Sequence, residues 1–189
     1  MALILASASP RRKQLLTMLG LTFEVRPAAG EEKLPPGIAP EEAVKRLSAQ
    51  KAAAVAETCA PGDVVIGADT VVWHGGRILG KPKTEQDAAD MLHALSGETH
   101  TVYTGVTVLK DGAALSAAEE TKVRFRSLPD GEIAAYIQTG EPMDKAGAYG
   151  AQGLGALFVE GIEGDFFNVM GLPVCRLGKL LKEVGVTLL

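Results

Sequence analysis

Apolar and polar residues follow both strand and helix periods along this chain. Nearly continuous apolar runs, typical of buried strands, occupy residues 2–6 and 64–72. Segments with an apolar side chain every three or four residues predict helices between the strands. In chain order the predicted elements are strand 2–6, helix 10–19, strand 21–26, helix 40–58, strands 64–72 and 77–79, helix 85–95, strands 99–109 and 113–126, helix 130–139, strand 156–162 and helix 173–184.

Cap and turn residues mark the ends of these elements. Ser9 and Pro10 are typical of a helix start, with an N-cap followed by proline at the first helical position. Gly75-Gly76 predicts a hairpin turn, and residues 27–40, with four prolines and two glycines, predict a loop. The order of elements predicts the α/β class, with a mixed sheet covered by helices.

The bulk composition indicates an ordinary globular protein. The chain has 189 residues, 47% of them hydrophobic and 22% charged. Its net charge of −4 argues against a nucleic-acid partner. Cys59 and Cys175 match no metal-ligand spacing and are expected to be thiols in a reducing cytosol. With no secretory signal and no apolar run long enough for a bilayer, we expect a cytoplasmic protein without a membrane partner.

Three basic residues, Arg11-Arg12-Lys13, occupy the first turn of the first predicted helix. The helix dipole disfavours cations at this end. Solvent can screen such charges, which is the simpler explanation. The alternative is a bound phosphate, held by free backbone N–H groups, the guanidinium groups and the hydroxyls of Ser7 and Ser9.

Two further charges lie where apolar residues are expected. Lys51 falls on the apolar stripe of helix 40–58, where it either extends to the surface or points inward to neutralise a ligand. Asp69 interrupts the apolar run 64–72. It either caps a turn after a strand that ends at Gly67, or it is a metal ligand or general base at the mouth of the sheet.

Two glycine-containing segments are also candidates for ligand binding. The pattern from Gly75 to Lys81 resembles a phosphate-binding loop, but Pro82 stands where that motif needs a hydroxyl for magnesium, so we reject it. Lys81 remains a candidate phosphate ligand on a stiff Gly-Lys-Pro corner. In the loop 144–153, three glycines allow close approach of the backbone to a ligand, and the Gln152 amide offers a donor and an acceptor to a base.

In this order the segments resemble the Maf family of nucleotide pyrophosphatases, from Leu3 to about Leu181. The matching segments are Ser7-Ala8-Ser9-Pro10-Arg11-Arg12, Glu31-Glu32, Lys51, Gly67-Ala68-Asp69-Thr70, Gly80-Lys81-Pro82, Tyr103-Thr104-Gly105-Val106, residues 144–153 and Gly171-Leu172-Pro173. The resemblance implies one Maf-like domain over residues 1–189, with two lobes around a deep cleft, similar to inosine-triphosphate pyrophosphatases. It also implies cleavage of nucleoside triphosphates between the α- and β-phosphates.

The resemblance assigns roles to individual residues. It implies that Asp69 is the catalytic proton acceptor and, with Glu32, binds a divalent cation, Mg²⁺ or Mn²⁺. The phosphate-binding set that it implies is Ser7, Arg12, Lys51 and Lys81. Three positions, Arg11, Thr70 and Gln152, are similar to the subgroup that acts on dTTP and UTP. The segment that ends at Glu32 reads Ala-Gly-Glu-Glu and lacks the first acidic residue that many members have.

Members of the family are often homodimers, so the resemblance also implies a possible homodimer for this chain. Two other functions are compatible with it: a nucleotide-binding regulator linked to arrest of cell division, in which hydrolysis is incidental, and a general phosphohydrolase. A regulator would bind nucleotides yet release little pyrophosphate, and a general phosphohydrolase would release orthophosphate.

Overall fold

Seven strands and six α-helices make up the computed structural model, which describes residues 1–29, 34–35 and 37–189. The strands are β1 (Leu3–Leu5), β2 (Glu24–Val25), β3 (Val64–His74), β4 (Arg77–Leu79), β5 (Thr99–Lys110), β6 (Ala113–Phe125) and β7 (Val159–Gly164). The helices are α1 (Pro10–Met18), α2 (Pro40–Ala56), α3 (Glu85–Leu95), α4 (Asp130–Gln138), α5 (Phe166–Met170) and α6 (Val174–Glu183). Three short 3₁₀ turns cover Glu141–Asp144, Ala146–Ala148 and Leu154–Phe158.

The strands form one sheet in the order β2-β1-β3-β5-β6-β7, and β4 pairs with β3 outside this path. β1 runs parallel to β2 and to β3, with Leu5 opposite Ile66. β4 runs antiparallel to β3, and β7 runs antiparallel to β6. The predicted mixed α/β sheet is therefore confirmed.

Local sequence signals explain where several elements begin and end. The Ser9 hydroxyl accepts a hydrogen bond from the backbone N–H of Arg12, and Pro10 occupies the first turn of α1, as predicted. Thr84 and Asp87 form a reciprocal capping box at the start of α3. Gly75 and Gly76 have φ values of 54° and 77°, which suit the tight turn between β3 and β4.

The bounds of two predicted strands were wrong, and one short helix was not predicted. The strand expected over residues 21–26 pairs only at Glu24–Val25. The strand expected over 156–162 begins at Val159, because the backbone N–H groups of Leu154 and Gly155 donate to the Glu141 carboxylate and residues 154–158 form a 3₁₀ turn. The short helix α5 was missed; its local signal is Asp165, whose carboxylate accepts from the backbone N–H of Phe167 at 2.7 Å.

The chain divides into two compact units. The first contains Met1–Asp69, Thr104–Glu119 and Gly171–Leu189. Part of its core consists of small and branched side chains of β1, α2 and β3, including Ile4, Ala52, Val55 and Val65. Leu177, Leu180 and Leu181 form the buried side of α6.

The second unit contains Thr70–Tyr103 and Glu120–Met170. Its core is rich in aromatic side chains. The Phe125 ring lies edge-on to His100, Tyr149 and Phe158, with centroid distances of 4.9, 4.7 and 6.0 Å. Such edge-to-face contacts add to the free energy of burial.

His100 is the titratable group within this aromatic core. It is 2% exposed, and its Nε2 lies 2.8 Å from the Tyr149 hydroxyl. Its Nδ1 has no hydrogen-bond partner among the described residues. Burial, with a smaller contribution from the charge of His74, lowers the pKa of His100 to about 3.

This low pKa predicts that the folded protein becomes less stable in acid. Above pH 6.5 both the folded and the unfolded chain hold His100 neutral; below it the unfolded chain binds a proton that the folded chain excludes. Because of His100, the free energy of unfolding should therefore be about 2 kcal/mol lower at pH 5 than at pH 8. Urea unfolding at both pH values measures this difference. The His100→Gln variant, which keeps a polar partner for Tyr149, should lose that much of the pH dependence.

His93 provides the matched control because its side chain is 49% exposed on α3. The His93→Gln variant should show the acid sensitivity of the wild-type protein. Equal pH dependence in the wild-type and His100→Gln proteins would contradict the assignment.

In the described part of the chain, helices are too short or too polar to span a bilayer.

Candidate functional site

The start of α1 brings Ser7 and Arg12 together. The Arg12 guanidinium donates from Nη1 to the Ser7 hydroxyl at 3.0 Å and from Nε to the Gly171 carbonyl at 2.8 Å. The second of these bonds ties α1 to the segment Gly171-Leu172 that precedes α6. Arg11 is half-buried in the same turn. The structure thus positions a guanidinium and a hydroxyl together at a helix N-terminus, an arrangement suited to an anion.

Lys51 and Asp69 form a largely buried ion pair in the same unit. The Lys51 ammonium group donates to Oδ1 of Asp69, and their side chains are 21% and 11% exposed. Lys51 therefore points inward, and the interpretation in which it reaches the surface is wrong. Taking both charges out of water is costly unless their contacts, or a ligand, offset the loss of hydration.

Asp69 lies inside a strand. β3 continues without interruption to His74, so the alternative in which the strand ends at Gly67 and Asp69 caps a turn is wrong. The expectation that Asp69 lies at the mouth of the sheet is corrected as well, because five more residues of β3 follow it. The last three of them, Val72, Trp73 and His74, pair with β4, which explains the longer strand.

Two glycines explain why α2 lies so close to the sheet. A Cβ on Gly67 would lie 2.1 Å from the Ser48 carbonyl oxygen, and a Cβ on Gly105 would lie 2.1 Å from the Val44 carbonyl oxygen. Both contacts are impossible for any residue with a side chain, so the backbones of β3 and β5 meet α2 directly. Asp69 follows Gly67 by two positions and shares its face of the strand, which brings the carboxylate to α2.

Buried hydroxyl groups fix α2 at this distance. The Ser48 hydroxyl donates to the Lys45 carbonyl at 2.9 Å and lies 2.8 Å from the Thr107 hydroxyl on β5. The Thr107 hydroxyl lies 2.8 Å from that of Ser116 on β6. Since Ser48 precedes Lys51 by about one helical turn, this chain of hydroxyl groups fixes the part of α2 that carries the lysine. Sequence reasoning missed Ser48 and Thr107, whose signal was polar residues at positions expected to be buried, and it missed the packing role of Gly67.

The remaining predicted residues, Thr70, Lys81 and Gln152, belong to the second unit. Thr70 and Gln152 are half-buried, and Lys81 is exposed beside the buried Pro82. The Gly147 N–H donates to the Gly80 carbonyl at 3.0 Å, which joins the Lys81 corner to the loop 144–153. Within this unit the structure therefore connects the segment that carries Lys81 with the one that carries Gln152.

The glycines of the loop 144–153 have internal explanations. A Cβ on Gly150 would lie 2.8 Å from Cε of Lys145, and one on Gly153 would lie 2.7 Å from Oε2 of Glu141. Gly153 also has a φ of 101°, which side chains rarely tolerate. The backbone conformation of Gly153 therefore requires glycine, and Gly150 packs against the Lys145 side chain, so both glycines have roles within the protein besides the predicted approach of a ligand.

The predicted metal ligands are Asp69 and Glu32, and Glu32 lies outside the described residues. Within residues 1–29, 34–35 and 37–189, no group of three or more His, Cys, Asp or Glu side chains could hold a metal ion. Magnesium sites that bind nucleotides commonly use one or two carboxylates and complete the shell with water and phosphate oxygens. The buried carboxylate of Asp69 fits that pattern.

Comparison with known proteins shows the family to which this chain belongs. Residues 2–184 match the family described as Maf-like protein, and the chain belongs to this family. It is 53% identical over 183 residues to a dTTP/UTP pyrophosphatase of Geobacillus sp., and the match covers 97% of this chain and 98% of the relative. It is also 50% identical over 190 residues to a dTTP/UTP pyrophosphatase of Pelotomaculum thermopropionicum, covering 99% of this chain and 98% of that protein.

A third relative, the dTTP/UTP pyrophosphatase of Bacillus pumilus, is 48% identical over 185 residues, with 98% of this chain and 97% of the relative covered. Among solved structures, a nucleoside-triphosphatase (dITP/XTP pyrophosphatase) of Mycobacterium abscessus aligns over 97% of each chain with a TM-score of 0.43 and 13% identity.

Proposed function

We propose that this chain is a nucleoside triphosphate pyrophosphatase that hydrolyses dTTP and UTP to the monophosphate and pyrophosphate. The observation that carries the proposal is the largely buried Lys51–Asp69 pair in a member of the Maf-like family. A carboxylate on β3 and a cation on α2, both largely buried, are costly for stability and useful for phosphoryl chemistry. Relatives that align over nearly the whole chain bear the name dTTP/UTP pyrophosphatase, which supports the choice of substrate.

In the proposed reaction a water molecule attacks the α-phosphorus. A bond forms between the water oxygen and phosphorus, and the bond from phosphorus to the oxygen that bridges the α- and β-phosphates breaks. Asp69 orients the water and accepts its proton, so that pyrophosphate leaves with the bridging oxygen. Lys51 holds the carboxylate in place and offsets negative charge near it.

The phosphate groups are bound by cationic and hydroxyl side chains. Arg12 and Ser7, already joined at 3.0 Å, present a donor set at the start of α1. Lys81 is proposed as a further phosphate ligand. No protein nucleophile is needed, since the chemistry depends on positioning and electrostatic stabilisation.

A divalent cation, Mg²⁺ or Mn²⁺, is part of the proposal. Asp69 would hold it through a carboxylate oxygen, and Glu32 is proposed as the second carboxylate. When bound, the cation supplies positive charge against the polyphosphate. Oxygen ligands of this type suit either metal.

The protein is proposed to act in the cytoplasm as a homodimer. Its proposed partner is its nucleoside triphosphate substrate, and no nucleic-acid partner is proposed. Cys59 and Cys175 are both free thiols, which is compatible with a reducing compartment.

The choice of base is assigned to Gln152, with Arg11 and Thr70. The Gln152→Ala variant should lose about tenfold of the preference for dTTP over CTP while its activity on the poorer substrates changes little, because an amide that pairs with a base edge discriminates between bases. Steady-state kinetics with dTTP, UTP, CTP and GTP measures this. An unchanged ranking of the four nucleotides would argue against the role of Gln152.

The proposed function itself is tested by assaying a nucleotide panel for pyrophosphate and orthophosphate. Pyrophosphate released from dTTP and UTP in the presence of Mg²⁺ or Mn²⁺ is the expected result. Orthophosphate as the main product would indicate a general phosphohydrolase. A rise in melting temperature with dTTP but negligible turnover would indicate a regulatory nucleotide-binding protein.

A further inference from the structure

Glu141 accepts hydrogen bonds from three donors on and around the loop that carries Gln152. Oε1 accepts from the Tyr136 hydroxyl at 2.9 Å and from the Gly155 N–H at 3.1 Å. Oε2 accepts from the Leu154 N–H at 3.0 Å. A single carboxylate thus holds the backbone immediately after Gln152.

Tyr136 holds the other side of the same segment. Its hydroxyl accepts from the Gly150 N–H at 3.2 Å while donating to Glu141. The side chain lies on α4 and is 4% exposed, so its position is fixed by the core of the second unit. Gln152 is therefore carried on a short span whose two ends, Gly150 and Leu154, are both held by this pair.

The surroundings of Glu141 keep it ionised. Burial opposes its charge, but the N–H groups of Gly155 and Leu154, the Tyr136 hydroxyl and the charge of Lys145 outweigh burial and lower its pKa. The ionised form offers a strong, charged acceptor to each of the three donors. The contact is also tight, because Gly153 has no room for a side chain above the carboxylate.

We propose that Glu141, together with Tyr136, is a positioning residue that sets nucleotide specificity by fixing the Gln152 segment. The inference rests on the proposed function and adds a specificity determinant to it. Glu141 acts through Gln152 and is not assigned a contact with the substrate. Its loss should therefore change the selection between bases while the hydrolytic step itself stays close to normal.

The test compares Glu141→Gln with wild type. A glutamine side chain has the same shape, but its NH₂ group faces at least one of the three donors, so at least one bond is lost. We expect KM for dTTP to rise and the preference for dTTP over CTP to fall by about tenfold, with kcat within about threefold, since hydrogen bonds to charged groups contribute about this much. Tyr136→Phe, which removes the hydroxyl alone, should shift the preference in the same direction.

Two controls separate positioning from general damage. Glu160→Gln removes an exposed carboxylate that bonds to Arg124 on the same unit and should leave the preference unchanged. In a Gln152→Ala background, Glu141→Gln should cause no further loss of discrimination, because its effect passes through Gln152. A purely structural role would instead lower kcat equally for every nucleotide.

The outcomes distinguish this inference from the proposed function. Wild-type protein that releases pyrophosphate from no nucleotide, or shows no preference for dTTP, overturns both. Active wild-type protein whose preference survives in both Glu141→Gln and Tyr136→Phe overturns the inference alone. Additive losses in the Gln152→Ala background also overturn it. If Glu141→Gln fails to fold, Tyr136→Phe decides the matter.

Discussion

Replacing Asp69 with asparagine is expected to lower the rate of pyrophosphate release from dTTP by about 10²–10⁴-fold, the usual contribution of a positioned general base. Asparagine keeps the shape of the side chain, so its neighbours on β3 and α2 stay in place. It cannot accept a proton, and it removes the negative charge beside Lys51. The effect is measured from initial rates with saturating dTTP and Mg²⁺. Circular dichroism checks that the variant is folded.

Asp90 provides a matched control for this variant. It is an exposed aspartate on α3 whose carboxylate accepts from the Gln86 side chain at 2.8 Å. Asp90→Asn should keep the wild-type rate. Activity in Asp69→Asn equal to that of Asp90→Asn would remove Asp69 from the catalytic role.

The second large effect concerns Gly67, where alanine should destabilise the fold and abolish most of the activity. Its Cβ would lie 2.1 Å from the Ser48 carbonyl oxygen and 2.9 Å from the Ala52 backbone nitrogen, so α2 must move away from β3. Overpacking of this kind costs about 1–3 kcal/mol or more. The shift also separates Lys51 from Asp69. Urea unfolding measures the loss of stability, and pyrophosphate release measures the loss of activity.

Gly131 is the matched control for Gly67. It lies exposed in the first turn of α4, and a Cβ at this position would meet no atom within 4 Å. Gly131→Ala should be neutral or stabilise the protein by up to about 1 kcal/mol, as expected for alanine in a helix. Equal stability of the two variants would contradict the close approach of α2 to β3.

Elements with clear local signals could be predicted from the sequence. The Ser9-Pro10 cap and the two glycines between β3 and β4 define element boundaries through neighbouring residues alone, and the structure confirms them. Charged residues on apolar positions were equally visible. Lys51 and Asp69 are 18 positions apart, yet each was recognisable as out of place in its own element.

Other features depend on contacts between distant segments. That β3 continues past Asp69 depends on its pairing with β4, which keeps residues after the aspartate extended. The start of β7 depends on Glu141, which draws the backbone of Leu154 and Gly155 into a turn. The role of Gly67 is set by the backbone of α2, and nothing in its neighbours along the chain indicates it.

The position of bond cleavage tests the account most directly, and hydrolysis of dTTP in water enriched in ¹⁸O reveals it. Attack at the α-phosphorus, oriented by the Asp69 carboxylate that Lys51 holds inside β3, places the heavy oxygen in dTMP and leaves pyrophosphate unlabelled. Mass spectrometry of the two products should show this distribution. Label in pyrophosphate, or labelled orthophosphate as the main product, would contradict the proposed mechanism.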